Sequence, residues 1–135
     1  MSKVARFAVP IILLRATVVA LHGAAHRILN VEASPSQTLF IAVFIIIAPL
    51  LAGILIWKSA RVAGAVTLAV SMAGALIFGL YNHFVLISPD HVLHVKGEPA
   101  AWVTIFQTTA ALLALVEAAG VVAGIMMLKR GDASV

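Results

Sequence analysis

The chain alternates long apolar runs with short polar breaks, and the runs fall approximately at residues 5–29, 38–57, 62–87 and 101–128. Each is long enough for a helix that crosses a bilayer, which takes about 20 residues at about 1.5 Å per residue. The breaks read NVEASPSQ, KSAR and SPDHVLHVKGEP. Connections this short favour antiparallel neighbours. The pattern predicts an all-α integral membrane protein: a four-helix up-down-up-down bundle with short loops, forming a single domain over residues 1–135. No polar stretch is long enough for a separate soluble domain. Pro10 lies near the start of its run, where a missing donor costs little, whereas Pro49 sits inside the second and should kink it; Pro89 stops the third. In the fourth run Gly120 and Gly124 stand at the GxxxG spacing, and Ala110, Ala114 and Ala118 repeat at steps of four. Small residues so spaced let backbones approach closely, either inside the bundle or at a dimer interface.

Composition supports the membrane reading: 10% of residues are charged and 63% hydrophobic, against about 25% charged for soluble domains. The absence of cysteine excludes disulfides, thiolate metal sites and thiol catalysis. A net charge of +4 does not point to nucleic acid, because the basic residues flank the apolar runs. Lys3, Arg6, Lys58, Arg61, Lys129 and Arg130, six of the nine, share one side. By the positive-inside rule both termini are cytoplasmic, and a bacterial inner membrane is the expected location. Trp57 and Trp102 fall at opposite interfaces, as an aromatic belt places them. Arg15 interrupts the first run, which reads as a retained helix rather than a cleaved secretory signal. The expected surroundings are the lipid bilayer, with a homo-oligomer or a larger membrane complex as partner and no nucleic acid.

Two ionisable residues lie deep. Arg15 is about 14 Å from Arg6, and Glu117 about 18 Å from Lys129, so both reach nearly the same depth. Each charge alone in hydrocarbon costs roughly 2.5–3.5 kcal/mol or more, which predicts an intramembrane ion pair joining the first and fourth helices. Such a pair either fixes helix register or, with Gln107 nearby, forms the inner relay of a small proton-linked transporter.

The remaining rare residues are histidines, and all five belong to the outer half. Arg15, His22 and His26 are spaced by 7 and 11, within about 20° of one line on a helix, so the first helix carries a single polar stripe facing the bundle interior. His22 and His26 lie about 24 and 30 Å from Arg6, and His83 about 33 Å from Arg61, near one level. The loop carrying His91 and His94 leaves from that level and is expected to aim them back toward the first helix. HGAAH puts two imidazoles on one helix face, and HVLH adds a second pair beside Asp90. A site built from His22, His26, His83, His91, His94 and Asp90 suits copper, zinc or iron. Met72, the one methionine away from the inner ends, lies too deep to be an obvious ligand. Haem between axial histidines of facing helices is a lesser alternative.

The leading expectation is an outward-facing histidine cluster that binds a transition metal for sensing, storage or transfer. Against it stands an accessory membrane subunit whose histidines only hydrogen-bond or respond to pH. No GxSxG, phosphate loop or HExxH occurs, and the reading leans away from an enzyme. A metal-assisted enzyme acting on lipid or quinone would take Tyr81, Asn82 and Asp90 as helpers.

Overall fold

The computed structural model describes residues 3–131, with side chains for residues 7–130. Every regular element among the described residues is helical, and four helices are long and apolar enough to cross a membrane. These are α1 (Lys3–Ile28), α2 (Pro35–Trp57), α3 (Arg61–Val85) and α4 (Ala100–Gly131). The side chains of Lys3 and Arg6, used above as depth markers, lie outside the described residues.

Helix boundaries follow from local chemistry. α2 begins at Pro35, three residues before the apolar run suggests, because SPSQ forms a capping box: Gln37 N donates to Ser34 Oγ at 3.3 Å and Ser34 N to Gln37 Oε1 at 2.8 Å. Proline at the first position gives up a donor that had no intrahelical partner. α1 and α2 both end through a residue at positive φ, Asn30 (55°) and Ser59 (66°). At each end the next N–H reaches back five residues, Val31 N to His26 O and Ala60 N to Leu55 O, both at 2.9 Å. The reversal satisfies terminal carbonyls that a bare helix end would leave open.

Two stretches widen to π-helix, Ile41–Ile47 in α2 and Tyr81–Val85 in α3. The first precedes Pro49, whose ring has no N–H for the carbonyl of Ile45 four residues earlier and crowds it. The expected perturbation at this proline therefore takes the form of a wider turn ahead of it. The second carries Asn82 and His83, both buried.

Within the bundle α4 packs along α1 and α3, and α3 along α2, whereas α1 and α2 touch less. One apolar cluster joins Ala8, Ile12, Ala52, Ile56, Leu68 and Ala123. A second joins Ala25 and Leu29 to Val92 and Val95 of the α3–α4 loop and to Phe106 and Ala110 of α4. The outward faces carry bulky apolar side chains such as Phe7, Leu39, Ile54, Ile77 and Leu115, the arrangement of a bundle solvated by lipid rather than water. The GxxxG glycines are used inside the chain. A methyl group at Gly124 would lie 2.9 Å from both Ala69 N and Cβ, and one at Gly120 would lie 2.7 Å from Met72 Cγ. Met72 is thus a packing residue.

Gly124→Ala meets backbone that cannot give way, and overpacking of this kind costs about 1–3 kcal/mol. Gly23→Ala meets nothing within 4 Å and replaces a poor helix former by a good one. Thermal unfolding in detergent should show Gly124→Ala clearly destabilised and Gly23→Ala unchanged or better; equal behaviour would contradict the α3–α4 contact.

Candidate metal centre

The centre is built where α1, α3 and α4 meet at the end of the bundle capped by the α3–α4 loop. His22 and His83 are buried and His26 is half-buried. His22 Nε2 lies 3.2 Å from His83 Nε2 and 3.2 Å from His26 Nε2, and one ligand nitrogen from each ring falls within 4.8 Å of the others. Nitrogens bound at about 2.0–2.1 Å to one tetrahedral ion sit roughly 3.3 Å apart. The three side chains can hold a metal ion with little movement. Phe106, fully buried, lies against all three rings at centroid distances of 4.8, 5.0 and 5.5 Å.

The opposite nitrogens decide the proton positions. Thr109 Oγ1 has one proton and lies 2.6 Å from Ile105 O and 3.1 Å from Phe106 O, which only accept. His22 Nδ1, 2.8 Å from the same hydroxyl oxygen, must therefore donate to it. His26 Nδ1 is 3.1 Å from Val31 O, and His83 Nδ1 is 3.0 Å from Asp90 O. Carbonyls accept, so these nitrogens donate as well. A neutral imidazole has one proton; with all three spent on Nδ1, the three Nε2 atoms face one another as bare lone pairs. At 3.2 Å that arrangement is repulsive unless a cation lies among them. Fixing the tautomer through the second nitrogen is what outer partners of metal-binding histidines do.

Each outer partner has a structural origin. Val31 O reaches His26 because Asn30 turns the chain back at the end of α1. Asp90 O reaches His83 because the loop folds over the bundle, where Val92 N donates to His83 O at 2.9 Å and Gln107 Nε2 to Val92 O at 2.7 Å. Gln107, expected beside Arg15 and Glu117, instead fastens this loop. The Asp90 carboxylate stands at the edge of the trio: Oδ1 lies 3.3 Å from the inward-facing His26 Nε2 and 3.1 Å from the outer His83 Nδ1, yet is aligned for a hydrogen bond with neither. A buried carboxylate oxygen beside two imidazoles complements positive charge at the centre.

His91 and His94 take a different place. Their Nδ1 atoms lie 3.1 Å apart, and Leu93 N donates to His91 Nδ1 at 3.1 Å, so the pair serves its own loop while the converging group is His22, His26 and His83. Tyr81 faces outward. Asn82 ties α3 to α2, accepting from Gln37 Nε2 at 2.9 Å and donating to Phe78 O at 2.8 Å. Thr109 was not singled out by sequence reasoning, although its spacing of three from Phe106 and eight from Glu117 sets it on the inward side of α4.

Below the imidazoles Arg15 Nη2 donates to Glu117 Oε1 at 2.9 Å, with both residues buried. Arg15 Nη1 donates to Ile45 O, the carbonyl that Pro49 cannot serve. Glu117 Oε2 makes no hydrogen bond among the described residues. It lies on the side of Gly79, and both residues line a cavity of about 220 Å³ that also reaches His22, His26, His83 and Asp90. No family model, curated relative or solved structure matches the chain.

Arg15→Met leaves a buried carboxylate and a buried carbonyl without their donor, a loss that typically costs about 3–5 kcal/mol. Adding Glu117→Gln to that variant should restore part of it. Unfolding free energies of the two single variants and the double variant should therefore deviate from additivity by about 0.5–3 kcal/mol. Additive losses would mean the pair is not coupled.

Proposed function

We propose that the protein is an integral membrane metal-binding protein whose centre is a single ion held by Nε2 of His22, His26 and His83. The observation that carries this reading is the convergence of three Nε2 atoms whose rings each turn Nδ1 to a fixed oxygen, an arrangement that in neutral imidazoles leaves the Nε2 lone pairs facing inward. Neutral nitrogen ligands without thiolate fit zinc, copper or iron. Haem fits poorly, since His22 and His83 Nε2 at 3.2 Å leave no room for a macrocycle between them. Three protein ligands leave a position open, as in exchangeable or catalytic sites rather than closed structural ones. Sensing, transfer and chemistry at the ion are all compatible with that openness. The distribution of Lys and Arg supports an orientation with both termini cytoplasmic and the centre on the opposite side.

A second reading has support from the same contacts. A proton shared among the three nitrogens would also relieve the lone-pair repulsion, making the trio a proton-holding group connected through the cavity to Glu117. This is the form in which a proton-linked carrier would use the chain.

Chain purified in detergent without chelators, and reconstituted with zinc, copper or iron, should carry one ion per chain by elemental analysis. His22→Ala and His83→Ala should lose it, whereas the His91→Ala/His94→Ala double variant should keep it. Thr109→Val removes the acceptor that orients His22 and should weaken binding about 10–100-fold with the fold intact. A folded wild-type chain that takes up none of the three metals would overturn the metal reading and leave the proton reading standing.

A further inference from the structure

The cavity beside the centre has a composition of its own. Its walls are apolar, with Val19 of α1, Ile41 and Ile45 of α2, Phe78 of α3 and Leu113 of α4. Its polar groups are the three imidazoles, Asp90 and the Glu117 carboxylate, with Glu32 and Gln37 added where the start of α2 borders the space. Glu117 is held by one oxygen only: Arg15 occupies Oε1, and Oε2 lies toward Gly79, which lines the space with it. A methyl group at Gly79 would lie 3.9 Å from Glu117 Oε2 and 3.9 Å from His83 Cδ2, so these atoms are at most twice that distance apart. The lack of a side chain at Gly79 keeps the space between carboxylate and imidazole open.

Size and chemistry restrict the occupant. An aliphatic cavity of about 150 Å³ takes up benzene, so about 220 Å³ admits one ring with a few further atoms. The walls favour an apolar body. A carboxylate oxygen that borders an apolar space without a protein donor is best matched by a ligand that brings one, because an acceptor covered by an apolar ligand and left unmet is costly. The open position of a metal on the imidazoles requires a lone pair. A hydroxyl group supplies both from a single oxygen. An anion would be repelled by Glu117 and Asp90, and an ammonium has no lone pair for the metal.

We propose that this cavity binds a small neutral apolar molecule bearing a hydroxyl group, of the size of a monocyclic phenol, with its oxygen on the metal and its O–H donated to Glu117 Oε2. Entry is between α1 and α2, the neighbouring helices that touch less than the others and whose Gly23, Ile41 and Ile45 line the space. Such a ligand partitions into a bilayer and reaches the cleft from lipid. The metal contact rests on the function proposed above; the Glu117 contact and the cavity do not.

The test uses the full chain in nanodiscs, loaded with cobalt(II), with phenol as probe and benzene as the control for partitioning. Phenol should bind saturably, at least about tenfold tighter than benzene, and shift the cobalt absorption bands. Glu117→Gln retains an oxygen for Arg15; it should keep its cobalt and bind phenol about 10–100-fold more weakly. Gly79→Leu fills the space beside the carboxylate and should keep cobalt while losing phenol binding. Phenol binding no tighter than benzene, or unchanged in cobalt-loaded Gly79→Leu, overturns the cavity proposal with the metal reading intact. A chain that takes up neither cobalt nor zinc, copper or iron but still selects phenol over benzene, with the selectivity lost in Gly79→Leu, overturns the metal reading and supports the cavity. Loss of both overturns both.

Discussion

Arg15 sets the terms for the interior of this bundle. A guanidinium in the middle of a membrane helix has no water to turn to, and its charge must be met by protein, although Nε of Arg15 has no partner among the described residues. Two of its nitrogens find partners on two other helices, the Glu117 carboxylate on α4 and the Ile45 carbonyl on α2. That carbonyl is free because Pro49, four residues on, has no N–H to give it. A defect in one helix thereby supplies an acceptor for a charge on another, and the wider turn at Ile41–Ile47 adjusts the register between them. Removing Arg15 leaves the Glu117 carboxylate without its donor, and removing Glu117 leaves the guanidinium without its counter-charge.

The arrangement also fixes what remains for chemistry. Arg15 takes one oxygen of Glu117 and leaves the other for the cavity. Above it, three histidines are oriented from behind by groups that have no other partner to choose: a threonine hydroxyl already donating to the backbone, and two carbonyls presented by chain reversals. In the neutral rings, backbone geometry at Asn30 and in the loop around Asp90 thereby leaves the inward-facing nitrogens free to take a cation, whether metal ion or proton. The loop itself is held by Gln107 and by burial of Val92 and Val95, so the outer shell of the site and the closure of the bundle are one structure.

Much of this was legible beforehand. Hydropathy alone located four helices, since a bilayer demands a fixed apolar length. Depth counting from the basic residues brought Arg15 level with Glu117 and His22 and His26 level with His83, because helical rise is nearly constant. The capping box that starts α2 at Pro35 was present in SPSQ and outweighed the apolar run that suggested residue 38. Less legible was the division among the histidines. His91 and His94 resemble ligands by spacing, but they lie in a loop whose path depends on what Val92 and Gln107 contact, and those contacts are long-range.

The sequence by itself determined the all-helical membrane architecture, the inward polar stripe of α1 and the rarity of charge that makes Arg15 and Glu117 need each other. These follow from periodicity, length and the cost of burying charge, all of which are local or additive along the chain. Only the tertiary structure decided that three of five histidines converge, that Thr109, Val31 and Asp90 hold their protons outward, and that Gly79 leaves a space between imidazole and carboxylate. Those outcomes rest on angles and close approaches between helices distant in sequence, and no pattern along a single helix encodes them.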